Sequence, residues 1–257
     1  MDPATLIGVV VALLVVVISN VMEGGNPAAL IQVAPMLLVF GATLLISLAG
    51  GTMADARGSM RGLVRAFTGT ARSAGDLVPS IVHLAEKARR EGLLALEDEL
   101  KDIEDPFLVR AVTFAIDGTD PEELREILES EVLAQENEVK QSAKFWAAAG
   151  GYAPTIGIVG TVMGLVHVLE NLAAPEELGA LIANAFIATL WGVLSANAIF
   201  LPIAARLKRL GELEVARMEL VIEGVMAVQA GANPRLVAQR LKSLLPERER
   251  EPEQQAA

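Results

Sequence analysis

Four stretches of this chain carry no Asp, Glu, Lys or Arg, and each is long enough to cross a bilayer: Pro3–Met22, Ala28–Ala54, Phe145–Leu169 and Leu178–Ala205. A hydrocarbon core takes about 20 apolar residues in a helix. The stretches are apolar on all sides, unlike a surface helix with one apolar stripe. No segment reads as a strand. The expectation is an all-α polytopic membrane protein with four transmembrane helices and a helical cytoplasmic domain. None of the four has a carboxylate at the membrane midplane, so such a chain, if it moved ions, would need a partner to bring one.

Composition narrows the function. Of 257 residues 53% are hydrophobic, and they gather in blocks instead of spreading as in a soluble core. The lack of cysteine excludes disulfides and thiolate metal sites. A net charge of −11 argues against a nucleic-acid partner. The first apolar run has Asp2 where a signal peptide has basic residues, and its apolar region is too long, so it is expected to stay as a helix. With only His83 and His167, no phosphate loop and no metal-ligand cluster, neither an enzyme nor a cofactor or metal site is expected.

Basic residues set the orientation. The short connections Glu23–Pro27 and Glu170–Glu177 contain no Lys or Arg. The long segment Asp55–Lys144 holds Arg57, Arg61, Arg65, Arg72, Lys87, Arg89 and Arg90, and Arg206, Lys208 and Arg209 follow the last span. Both basic regions, and both termini, are expected in the cytoplasm. The domain reading is 1–54, transmembrane helices 1 and 2; 55–144, a cytoplasmic helical domain; 145–205, transmembrane helices 3 and 4; 206–257, an amphipathic helix and a tail.

Within the insert, Met60, Leu63, Val64 and Phe67 recur at helical spacing. Asp76 is expected to cap a helix whose apolar face is Ile81, Leu84, Ala85 and Ala88, and Leu93, Leu94, Leu96 and Leu100 continue the pattern past Gly92. Pro106 opens another helix. Asp120-Pro121-Glu122-Glu123 is a strong helix start, and that helix should run into the third span. Glu212 to Ala230 reads as an amphipathic helix, and Asn233-Pro234 opens a short last one. The charged, apolar-poor Pro246–Ala257 is expected to be disordered.

The spans contain small and polar residues. Gly157, Gly160, Thr161 and Gly164 would let another helix approach closely, with Gly160 and Gly164 as a GxxxG pair. Pro154 should kink its helix or mark its end, and the carbonyl it frees needs a partner such as Thr155, water or another helix. The fourth span carries Asn184, Thr189, Ser195, Asn197 and Pro202. A membrane threonine can simply bond back to its own helix. Two of them in facing spans, Thr155 and Thr189, instead fit a pore lining that holds water or a partly dehydrated cation.

The run Ala153 to Leu165 (APTIGIVGTVMGL), followed by Ile187 to Val193 (IATLWGV) and Phe200 to Ala204 (FLPIA), resembles the flagellar stator protein A family (MotA/PomA), within the MotA/TolQ/ExbB proton channel superfamily. Met22–Gly25 and Ala88–Glu97 fit the same pattern, and the likeness extends over nearly the whole chain. It implies an inner-membrane homopentamer around two copies of a B-type stator subunit (MotB/PomB-like). That subunit supplies the membrane Asp, and membrane lipid surrounds the complex. Ion flow would turn the pentamer and push the rotor protein FliG, driving flagellar rotation in motility and chemotaxis.

Carried over residue by residue, the resemblance makes Arg89 and Glu97 the charged pair that engages the rotor, with Arg90 beside them. They would stand about two turns apart if the helix ran through Gly92; taken alone, the run is an ordinary solvated face. Pro154 and Pro202 match two prolines linked to torque. Thr155 and Thr189 match pore-lining threonines. Ala188 stands where sodium-driven relatives tend to carry a second threonine, which leans to protons over Na+. The competing reading is a TolQ/ExbB-like energiser of an outer-membrane process. Such proteins usually have three spans, with the long insert after the first.

Overall fold

A computed structural model describes residues 4–69 and 73–250, and among them every regular element is helical. The helices are α1 (Ala4–Met22), α2 (Val33–Met36), α3 (Thr43–Ala49), α4 (Met53–Thr68), α5 (Val78–Glu91), α6 (Pro106–Ile116), α7 (Pro121–Glu170), α8 (Pro175–Ser195), α9 (Leu201–Gln229) and α10 (Pro234–Leu244). A π-helical stretch, Leu37–Ala42, joins α2 to α3, and a second, Ala196–Phe200, joins α8 to α9. Among the described residues, three continuous helices are long and apolar enough to cross a membrane: Thr5–Met22, Pro121–Glu170 and Pro175–Gln229.

The second apolar stretch is shorter than the sequence implies. Its first residues form a 3₁₀ turn, Pro27–Leu30, capped by the Asn26 side chain, and the helix occupies only Val33–Ala49. At 1.5 Å per residue that is about 25 Å. Gly50 and Gly51 end it, and Thr52 restarts the chain as α4 through a capping box. The Thr52 hydroxyl accepts from the Asp55 N–H, and the Asp55 carboxylate accepts from the Thr52 N–H at 2.8 Å.

Packing divides the chain into two compact units. The first holds the described residues 4–69 and 138–209, so α4 belongs with the spans and not with the rest of the insert. Its core is Ala66, Trp146, Ala149, Ala153, Ala196, Phe200, Ile203, Ala204 and Leu207. Aromatic rings run through it: Phe40 lies 5.8 Å from Trp191 and 6.1 Å from Phe200, and Phe200 stacks on Trp146 at 6.1 Å. The Trp146 indole donates to the Ser59 carbonyl at 3.1 Å, and the Trp191 indole to the Leu30 carbonyl at 2.7 Å. The buried Trp146 and the half-buried Trp191 indoles thus each keep a partner for the N–H.

The second unit holds 73–137 and 210–250. Ile81, Leu84, Leu108, Val112, Leu124, Leu128, Leu220, Val225 and Leu241 fill its core. Asp105 caps α6 by accepting from the Leu108 N–H at 2.8 Å, and Asp120 accepts from the Glu122 N–H at 2.9 Å as expected. The expected cap at Asp76 does not form. A 3₁₀ turn, Ala74–Leu77, precedes α5, and Ser73 caps that turn instead. Inside this unit Arg217 and Asp105 form an ion pair at 2.6 Å with both side chains 7% exposed.

In the C-terminal segment expected to be disordered, residues 251–257 lie outside the described residues. Glu247–Glu249 form a 3₁₀ turn, and the Glu249 carboxylate accepts from the Ser73 hydroxyl at 2.6 Å.

Candidate functional site

The approach of α7 to α8 is set by glycine. A methyl added at Gly157 would lie 2.9 Å from the Ala188 carbonyl oxygen, one at Gly160 2.6 Å from the Ala188 methyl, and one at Gly164 2.5 Å from the Ala185 methyl. From the other side, a methyl at Gly192 would meet the Ala153 carbonyl oxygen at 2.7 Å. No larger residue fits this seam, the usual way membrane helices gain close contact.

In the seam the hydroxyls of Thr161 and Thr189 hydrogen-bond to each other. Thr189 also reaches the Gly157 carbonyl at 3.2 Å, and Thr161 reaches the carbonyls of Gly157 at 3.2 Å and Ala185 at 3.1 Å. Two hydroxyl protons therefore serve two hydroxyl oxygens and two carbonyls. One hydroxyl donates to its neighbour, which donates to a carbonyl, and the order can reverse. The result is a cluster of four oxygens between spans that carry no ionised side chain.

The pairing differs from the sequence expectation. Thr189 faces Thr161, not Thr155. Thr155 is exposed and donates to the Tyr152 carbonyl at 2.7 Å. That is not the carbonyl Pro154 frees, which by helical spacing belongs to Gly150. Thr155 stands on the opposite side of α7, on an exposed stripe with Tyr152, Val159, Val162 and Val166. Ala188 is 2% exposed and its methyl faces Gly160, so residue 188 belongs to the seam. A signal for Thr161 was present: it follows Gly157 by four residues, on the face made of glycine.

Pro154 is half-buried within α7. Pro202 follows the π stretch Ala196–Phe200. A proline ring collides with the carbonyl four residues back in an α-helix; the wider π turn just before Pro202 makes room. Phe200 of this stretch meets Phe40 of the other, so the two irregular turns pack on each other.

In the second unit Arg89, Arg90 and Glu97 are all exposed. They do not share a helix. α5 stops at Glu91 because Gly92 adopts φ +88, and Leu93–Leu96 form a 3₁₀ turn that brings the chain to Glu97. The helical pattern past Gly92 is broken by this left-handed residue. Leu94, read as part of an apolar face, is 75% exposed between the two charged groups. Behind them Glu99 accepts from Lys87 at 2.6 Å and pairs with His83 at 3.1 Å. The Lys87 hydrogen bond holds the Glu99 carboxyl below its usual range, and Glu99 raises Lys87.

The comparisons accord with this geometry. The N-terminal profile of motility protein A matches residues 6–92, and the MotA/TolQ/ExbB proton channel family profile matches residues 99–220. Motility protein A of Bacillus subtilis is 34% identical over 251 residues, covering 97% of this chain and 93% of its own length.

The chain belongs to the motility protein A family.

Chemotaxis protein PomA of Vibrio alginolyticus, 32% identical over 250 residues, is similar over 97% of this chain and 98% of its own. Among solved structures, C. jejuni MotAB superposes with a TM-score of 0.91 at 31% identity, covering 96% of this chain and 97% of that one. The MotAB stator complex of Bacillus subtilis superposes at 0.89 with 33% identity, covering 96% and 98%. The all-helical membrane fold of the motility protein A family is thus the fold of this chain. That family is a channel family, not an enzyme family.

Proposed function

We propose that this chain is the A subunit of a flagellar motor stator, forming with a B subunit an ion channel that turns ion flow into torque on the rotor. The observation that carries the reading is the full-length likeness to stator A chains, joined to spans that hold a hydroxyl cluster and no carboxylate. A titratable Asp must then come from the B subunit. The N-terminal motility protein A match at residues 6–92 supports a stator over a TolQ/ExbB-like energiser.

In this reading the protein sits in the inner membrane with four spans, Val33–Ala49 being the second, and both termini are cytoplasmic. Five copies surround the B subunits. Thr189, Thr155 and the small Ala188 belong to the ion pathway, Pro154 and Pro202 to torque coupling. Arg89, Arg90 and Glu97 present charge to FliG. Their exposure supports a reversible, steered contact. Protons are the favoured ion, since no second hydroxyl stands at residue 188.

The test is swimming speed of a stator-deletion host carrying this chain and its B subunit, across sodium concentrations and with a protonophore. Rescue that ignores sodium and collapses with the protonophore is the expected result. Speed that tracks sodium discards the proton assignment. Failure to rescue with the inserted complex and its cognate B subunit overturns the stator reading.

A further inference from the structure

The exposed stripe of α7 does not end at Thr155. Stepping by three or four residues it continues through Tyr152, the half-buried Ala148, and the exposed Lys144 and Gln141, out of the apolar span and into charged sequence. From Leu169 down to Thr155, Thr155 is the one polar side chain on this line, and Tyr152 follows it with a phenol hydroxyl. Directly below lies a cavity of about 510 Å³, lined among others by Gly50, Thr52, Asp55, Lys144, Ala148 and Tyr152. Every element around it belongs to the first compact unit.

Asp55 is the first carboxylate past the second apolar stretch. One oxygen, Oδ2, accepts from the Thr52 N–H and the Thr52 hydroxyl, both at 2.8 Å. The other makes no hydrogen bond among the described residues. Lys144 likewise has no ion pair among them. The two charges face the same cavity without touching.

We propose that this cavity is the cytoplasmic mouth of the ion path, and that Asp55 is the anionic residue that draws the cation out of it. The proposal rests on the channel reading above and names a residue that reading did not use. A cation in an uncharged, apolar conduit is poorly solvated, and a fixed negative charge at the mouth lowers its free energy there and raises the local cation concentration. Asp55 fills that place. The Thr52 hydrogen bonds, with the Lys144 charge as a smaller contribution, hold its carboxyl below the usual range, so it stays ionised at neutral pH. For a proton, the carboxylate takes it from a hydronium, leaving water, and hands it to a bulk water molecule; for Na+, it pairs briefly and releases.

The capping box allows charge to be separated from shape. Asn at residue 55 keeps an oxygen to accept the Thr52 N–H and removes the charge. Glu at the third helical residue is a favoured capping-box partner and keeps it. The experiment is cation flux into proteoliposomes holding the full chain with its B subunit, under an imposed gradient, read by an entrapped pH or sodium dye. Asp55→Asn is expected to lower the flux roughly tenfold at equal complex content, consistent with the loss of a focusing charge, and Asp55→Glu to restore it. Flux through Asp55→Asn equal to wild type overturns the mouth and leaves the channel reading intact. Equal loss in both variants also overturns it and assigns Asp55 to helix capping. A wild-type complex that carries no flux overturns the channel reading and the proposal together.

Discussion

Thr161 and Thr189 meet hydroxyl to hydroxyl where α7 and α8 are closest, each within reach of the Gly157 carbonyl. Neither could reach the other if Gly157, Gly160 or Gly164 carried a side chain.

Replacing Thr189 by Val keeps the shape and removes one hydroxyl. Thr161 can still donate to the Gly157 or Ala185 carbonyl, so the structural loss is about 0.6 kcal/mol, the average for an interhelical membrane hydrogen bond. Motility, in contrast, is expected to fall severely at normal expression, and Thr189→Ser to retain most of it. Swim-plate assays with membrane immunoblots check both; unchanged swimming of Thr189→Val would remove the hydroxyl pair from the ion path.

Gly160→Ala should destabilise the complex by about 1–3 kcal/mol, because its methyl would meet that of Ala188 at 2.6 Å in a seam that cannot open without parting the helices. Gly151→Ala, with open space around it, is the control. Thermal denaturation of the detergent-solubilised complex separates them, and equal midpoints would show that the seam yields.

The buried Arg217–Asp105 pair makes a sharper demand. Removing only Arg217 strands a carboxylate in the second unit's core and should cost about 3–5 kcal/mol. The double variant Arg217→Met with Asp105→Asn keeps an acceptor for the Leu108 N–H and should recover much of that. Denaturant titration monitored by circular dichroism distinguishes the two; a single variant no worse than the double would mean the charges are not coupled.

Arg89→Glu is expected to reduce torque while leaving ion flux in proteoliposomes unchanged, and adding Glu97→Lys in the same chain to reduce it further. Bead assays on tethered flagella measure it. A parallel fall in flux would move Arg89 from rotor contact to channel structure.

The Lys87–Glu99 pair sets a pH window. Glu99 is held below its usual range when folded, so its contribution is present at neutral pH and is lost as pH falls through that lowered value. Lys87 is raised, so its contribution is full below the ordinary lysine range and is lost as pH rises through the raised value. The stability difference between wild type and Glu99→Gln should therefore be seen at neutral pH and shrink in acid. A difference that persists in acid would rule out the pair as its source.

Much of this was legible in the sequence. Charge-free runs marked α1 and the apolar parts of α7 and of the Pro175–Gln229 helix, since ionised side chains are the costliest content of a membrane helix. Asp120-Pro121 marked the start of α7, and the glycines of Gly157–Gly164 marked the seam. The partner of Thr189 was not legible, because periodicity within one helix says nothing of its rotation against another. Apolar spacing carries the helical pattern across Gly92, but its φ of +88 makes it a stop. Gly50-Gly51 marks the end of the second span in the sequence, and the Thr52–Asp55 spacing just after it spells the capping box that opens α4. Neither π stretch leaves a trace in spacing, since apolar residues lie on every side there.

The π turn before Pro202 also carries a message about how this chain can change. Such a turn closes its hydrogen bond one residue later than an α-helix does, and each residue advances the helix by about 100°. The residues of this unit beyond Phe200 are thus rotated by about that angle from where an unbroken α8 would have aimed them. Deleting a single residue between Ala196 and Phe200 would let the turn close as ordinary α-helix with Pro202 on the same bearing, so the stretch holds one residue more than the direction of the helix requires. For this segment, the length of the sequence matters as much as its letters.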